Sequence, residues 1–216
     1  CHSVAVGPYA LQNQNFTTAT DSYNTGVGYN AGGAVTTGVQ NTLIGGLAGD
    51  AITTGNANTA VGYLALSAED EHGYNTAIGY ESLPVLNAGA DSHNVAVGYY
   101  SGFATTTGVY NTFLGAAAGA FCTTGHYNTF VGKAAGLGIT GTKLTGDANT
   151  AVGRNAGLLL QGAATRNTLV GAYAGDAITA GDQNTALGYG SLGAGVASYY
   201  NTAVGHAALA SDTTGR

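Results

Sequence analysis

Residues 200–209 read YNTAVGHAAL, and the phrase returns as ANTAVGYLAL at 57–66, YNTAIGYESL at 74–83 and HNVAVGYYSG at 93–102. Aligned on its Asn, it recurs with Ser3 standing in, then at Asn24, Asn41, Asn58, Asn75, Asn94, Asn111, Asn128, Asn149, Asn167, Asn184 and Asn201. The steps are 21, 17, 17, 17, 19, 17, 17, 21, 18, 17 and 17 residues, giving twelve repeats on a base period of 17. Self-similarity at a fixed short period marks a solenoid or array. No boundary interrupts the series, so 1–216 reads as a single repeat domain. The pattern begins and ends in mid-phrase, which suggests a segment of a longer fibrous protein.

Within each repeat the residue two after the Asn is usually Ala, and three after is Val, Ile or Leu. Four after is Gly in every copy, seven after is Ala or Ser, and eight after is Gly or Leu. Thr-Thr-Gly closes several repeats, at 36–38, 53–55, 106–108, 123–125 and 213–215. Short alternating runs between glycines read as strands, and 17 residues are too few for a helical hairpin repeat. The expected architecture is all-β: a parallel β-roll or β-solenoid of about twelve coils, each with two short strands. Stacked coils pair each strand with its copies above and below. The stack should run roughly 55–60 Å at ~4.8 Å per coil.

Composition agrees with a thin interior. Gly reaches 37, Met and Trp are absent and only 7% of residues are charged, so stability must come from backbone hydrogen bonds and small packed groups. No run of about 18 apolar residues exists to cross a membrane. The net charge of −6 and the scattered Lys133, Lys143, Arg154, Arg166 and Arg216 exclude a phosphate-binding patch and a basic membrane-binding face. Parity sets Thr and Val on one strand face and Ala and Gly on the other. A coil this thin cannot shield both faces from water, so one should meet another chain, and a homo-oligomer is expected. Cys1 and Cys122 fall about seven coils apart, roughly 30 Å at ~4.8 Å per coil. An intrachain disulfide, which needs Cα atoms within about 7 Å, is therefore excluded.

Candidate chemistry is sparse. GYGSLG at 188–193 fits a dinucleotide-binding spacing, but its residues fall on ordinary repeat positions with no βαβ unit around them. No cofactor is expected. Glu69-Asp70-Glu71-His72 could ligate Ca²⁺, against the plainer reading of a solvated turn. His2 and His93, just before the Asn position, could ring an ion in a trimer, against a structural role. No metal site is assigned. Polar residues recur as ladders rather than converging constellations, so no enzyme is expected. The Thr column could match an ice lattice, against a buried β-branched ladder. The Asn column reads as a hydrogen-bonded stack, as amides form in cross-strand arrays. Tyr29, Tyr63, Tyr80, Tyr99 and Tyr189 follow the Gly, and Tyr23, Tyr74, Tyr110, Tyr127 and Tyr200 precede the Asn. Such rails suit sugar rings or packing between coils and chains. Extra residues enter at 12–23, 84–93 and 137–148, where solenoid insertions often carry recognition.

HSVAVG at 2–7 and HNVAVG at 93–98 resemble the NSVAIG signature of trimeric autotransporter adhesin heads, the YadA-like family. The fuller form NTAVGYLAL at 58–66, with Thr-Thr-Gly turns, looks more like repeats of phage tail fibres and related bacterial surface fibres. The resemblance covers essentially the whole chain. It implies a left-handed roll, a homotrimer, and an extracellular setting on a cell surface or virion tail fibre. The function expected is attachment by multivalent contacts to a cell-surface glycan or protein receptor, without nucleic acid or membrane insertion. A purely structural spacer and an ice-binding solenoid are the alternatives.

Overall fold

The computed structural model describes residues 2–195, 197 and 199–211; the closing Thr-Thr-Gly at 213–215, Cys1 and Arg216 lie outside them. The chain is an all-β solenoid. Twelve three-residue strands form one parallel sheet in strict chain order, from β1 (Val4–Val6) to β12 (Thr202–Val204). Pairing is in register with the repeat, for example Thr42↔Thr59, Leu43↔Ala60 and Ile44↔Val61. A 17-residue period therefore lays like upon like.

Each coil holds one strand, not the two expected. The second run, around the Ala or Ser seven after the Asn, is a chain of turns. Its flanking residues take left-handed φ, as at Leu64 (54°) and Leu66 (52°), which no β-strand tolerates. The turns still hydrogen-bond from coil to coil, Gly49 N–H to the Ala65 carbonyl at 2.9 Å and Leu66 N–H to the Ser82 carbonyl at 3.0 Å. They stack without extending.

The Asn column runs through the molecule as a continuous ladder. The backbone N–H of Asn41 donates to Oδ1 of Asn24 at 2.9 Å, Asn58 to Asn41 at 2.9 Å, and Asn75 to Asn58 at 3.0 Å. The series continues through Asn94, Asn111, Asn128, Asn149, Asn167, Asn184 and Asn201. Side-chain Nδ2 groups donate to carbonyls at the closing turn, such as Asn41 to Gly55 and Asn111 to Gly125, both at 2.8 Å. All of these Asn residues are buried. A buried amide must be satisfied, and here residues such as Asn41 and Asn111 satisfy both their own turn and the next coil. Asn75 instead turns its Nδ2 back to the Gly73 carbonyl.

The core lies on the side of the sheet where the middle residue of each strand points. That column carries Ala60, Ala77 and Ala96, and also Leu43, Phe113, Phe130 and Leu169, all fully buried. Facing it is the position eight after the Asn, and the two exchange volume. Leu43, Phe113, Phe130 and Leu169 face Gly49, Gly119, Gly136 and Gly175, where any Cβ would press into that same Leu or Phe ring. Ala60, Ala77 and Ala186 are matched by the buried Leu66, Leu83 and Leu192. Where both positions are small, as at Gly26 and Gly32, neighbouring coils fill the gap with Leu11 and Leu43. Between them these two facing positions admit at most one bulky side chain per coil, beside a second buried column eleven after the Asn that carries Val35, Ile52, Leu86 and Ile178.

Candidate functional site: the outer face of the sheet

The residues one before, one after, three after and five after the Asn share the outward side of the sheet. Nearly every exposed large apolar residue lies in these columns: Val4, Val6, Ile44, Ile78, Val95, Leu114, Leu187 and Val204 on the strands, with ten tyrosines beside them. Outside them stand only Tyr9, Val85 and Leu209 among the described residues. The strand Thr residues lie on the same face. They are half-buried at Thr25, Thr42, Thr59, Thr76, Thr112, Thr129 and Thr150, and exposed at Thr168, Thr185 and Thr202. A buried β-branched ladder is therefore not what the Thr column forms within one chain. Parity turns it outward because the interior is already filled by the Ala/Leu/Phe column.

Two aromatic rails border this face. Along one edge His93 stacks between Tyr74 and Tyr110, with ring centroids 4.9 and 5.2 Å away, and Tyr110 stacks on Tyr127 at 5.2 Å with parallel planes. His2 stacks on Tyr23 at 5.4 Å and meets Asp21 at 2.8 Å. Along the other edge Tyr80 stacks on Tyr63 and on Tyr99, each at 5.6 Å, while Tyr189 stacks on His206 at 5.3 Å. Tyr29 meets Tyr9 edge-on. The coil rise places successive rings at offset-stacking distance. Inside each run the ring faces cover one another, so edges and hydroxyls meet solvent. A hydrogen bond to Glu81 raises the Tyr80 hydroxyl pKa, and one to Tyr99 pushes Tyr100 up to about 12, which keeps these hydroxyls neutral donors.

The remaining candidates fall inside ordinary coils. In GYGSLG the Ser191 hydroxyl donates to the Gly188 carbonyl at 3.0 Å, closing a turn. Cys122 is buried and free, its thiol pushed up to about 12 by desolvation. Among the described residues no helix is long and apolar enough to cross a membrane.

The acidic stretch is not a solvated turn throughout. Glu69 has no exposed surface, and burial raises its carboxyl pKa above the usual range. Glu71 is the exposed member, while Asp70 and His72 are half-buried. Reading the four residues as a charge run hid Glu69, yet counting from the Asn would have found it. Eleven after the Asn, neighbouring coils carry the core residues Ile52 and Leu86.

Comparison of the chain with family models, curated proteins and solved structures gives no match in any of the three.

Proposed function

We propose that this chain is a shaft or head segment of a non-enzymatic homotrimeric fibre, on a cell surface or a virion tail, that mediates attachment by multivalent contacts. The observation that carries this reading is the outer face. Exposed Val, Ile, Leu and Tyr side chains recur on it from β1 to β12, interrupted by Gln40, Lys133, Arg154, Arg166 and Gln183 in the flanking columns. Monomeric soluble proteins rarely expose contiguous apolar patches above a few hundred Å². Two further copies, wound as left-handed rolls like those HSVAVG and HNVAVG resemble, would cover the Val/Ile/Leu column. The tyrosine rails would form the rim, where aromatic rings with a wet polar end are favoured. A cell-surface glycan or protein would be met there by ring edges and hydroxyls, each contact repeated threefold and from coil to coil, so that avidity replaces a tight single site.

One observation favours the spacer as second reading: the stacked rings at Tyr80 and Tyr110 are covered on both faces by their neighbours. Sugar C–H faces have little left to stack on there. Ice binding is disfavoured because the column beside Thr is aliphatic rather than a second Thr column. Light scattering coupled to gel filtration tests the assembly, where a stable lone protomer would remove its basis. Glycan and receptor arrays then separate attachment from spacing. Attachment requires binding that drops at least about tenfold in a Y63A/Y80A/Y99A trimer.

A further inference from the structure

We infer that Glu69, Asp70 and His72 form a binding site for a transition-metal dication of the Zn²⁺ type. Glu69 occupies the core register that Val35, Ile52, Leu86 and Ile178 fill in other coils, each fully buried. An ionised carboxylate there is costly unless it is paired. Yet neither Glu69 oxygen has a hydrogen-bond partner, and neither does Nδ1 of His72. Oε1 and Nδ1 stand 3.3 Å apart but are not aligned as a hydrogen bond. One ligand atom each from Glu69, Asp70 and His72 falls within 4.8 Å of the others. Three donor side chains thus lie within reach of one another, and the innermost, Glu69, meets only His72 of this same cluster.

The turn that presents them is pinned on both sides. The Asp70 carbonyl accepts from the Thr53 N–H at 2.6 Å and the Thr53 hydroxyl at 3.0 Å, and the His72 carbonyl accepts from Asn58 Nδ2 at 3.1 Å. Glu71 N–H donates to Asp70 Oδ1 at 2.7 Å. The preceding coil and Asn58 of the same coil thus order the backbone before any ion arrives. Asp70 and His72 are half-buried, so the site opens toward solvent at their side. The donor set decides the ion class. Two carboxylates with an imidazole suit Zn²⁺ and its neighbours, whose bonds to these donors are about 2.0–2.2 Å. Ca²⁺ and Mg²⁺ prefer oxygen alone.

The test is titration calorimetry with thermal unfolding of the 216-residue chain in ZnCl₂, CaCl₂ or MgCl₂. One saturable Zn²⁺ per chain with a raised Tm is expected, while Ca²⁺ and Mg²⁺ leave Tm unmoved. E69I, which copies Ile52, should fold and lose this binding by roughly 100-fold or more, beyond the 10–100-fold typical of outer-shell changes. His72→Ala, at a half-buried position, should do the same. Absence of saturable Zn²⁺ binding in the parent would overturn the assignment. So would unchanged binding in E69I, which would move the metal to the outer-face histidines, or an equal response to Ca²⁺.

Discussion

Gly62 shows why one residue type occupies the position four after every Asn. Its φ is 136°, and a Cβ there would run into the carbonyl of Gly79 on the next coil. The same holds for its counterparts from Gly7 to Gly188, whereas Gly205 has only the Ala208 Cβ at 4.0 Å. Backbone conformation and coil spacing can thus be separated within one molecule. Gly205→Ala should cost on the order of 1–3 kcal/mol from backbone strain alone. Gly62→Ala adds a clash that no rotamer relieves and should cost clearly more, read as the difference in denaturant midpoints. The Asn ladder allows a second comparison. Asn111→Ala orphans the buried Asn128 N–H and leaves the Gly125 carbonyl only the weak Cys122 thiol contact at 4.0 Å, and should destabilise by ~3 kcal/mol in the same assay. Cys122 supplies a reporter. With its thiol pushed up to about 12 and no exposed surface, it should ignore a disulfide reagent at pH 8 in a Cys1→Ser background. Its labelling rate should then follow the opening of that coil as denaturant is added. Fast labelling in the folded chain would show that the interior is looser than described. The Gly and Asn columns were legible in the sequence because each copy repeats the same constraint. Glu69 was legible only by counting eleven from Asn58 against Ile52 and Leu86, because read locally it belongs to a charged turn.

At the level of the coil, the strand centre and the residue eight after the Asn form a matched pair within the interior. The strand centre and the turn residue facing it supply one large side chain between them, as Leu43 with Gly49 or Ala60 with Leu66. In the sequence this compensation was visible only as two separate habits: a usually small residue two after the Asn, and Gly or Leu eight after. Their coupling needed the fold, because it acts across the coil. The missing second strand was hidden for a related reason. Leu64, Leu66 and Tyr74 take left-handed φ with ordinary side chains, a cost of about 1–2 kcal/mol each that stacking offsets and composition does not announce. A compensating exchange tests the pairing. Ala60→Leu alone should overpack the coil by ~1–3 kcal/mol, and Leu66→Gly alone should leave a cavity costing ~2–5 kcal/mol. Together they recreate the Leu43/Gly49 arrangement and should recover most of both losses. Strict additivity in the double mutant would mean that the two positions do not share a space.

For the whole molecule, the repeat period made the solenoid legible, since in-register parallel pairing lets each column find its own kind. What lies against the outer face was not legible, because alternation assigns residues to two sides without saying which is filled from within. The structure resolves that ambiguity: the Ala column looks inward, and the Thr and Val/Ile/Leu columns look out. If further copies of this chain cover the outer face, charge placed on it should break the assembly and leave each coil intact. Ile78 and Leu114, three after their Asn and 37% and 41% exposed, make no contribution to the buried core. Ile78→Lys with Leu114→Lys should therefore keep the far-ultraviolet dichroism and the Cys122 protection of the parent. In gel filtration with light scattering it should shift from trimer to protomer, because two like charges per chain would face each other across a desolvated interface. If the double mutant remains trimeric at the parent's dissociation midpoint, that aliphatic column is not where the chains meet. If it unfolds outright, strand and assembly are a single cooperative unit, and the protomer does not exist without its partners.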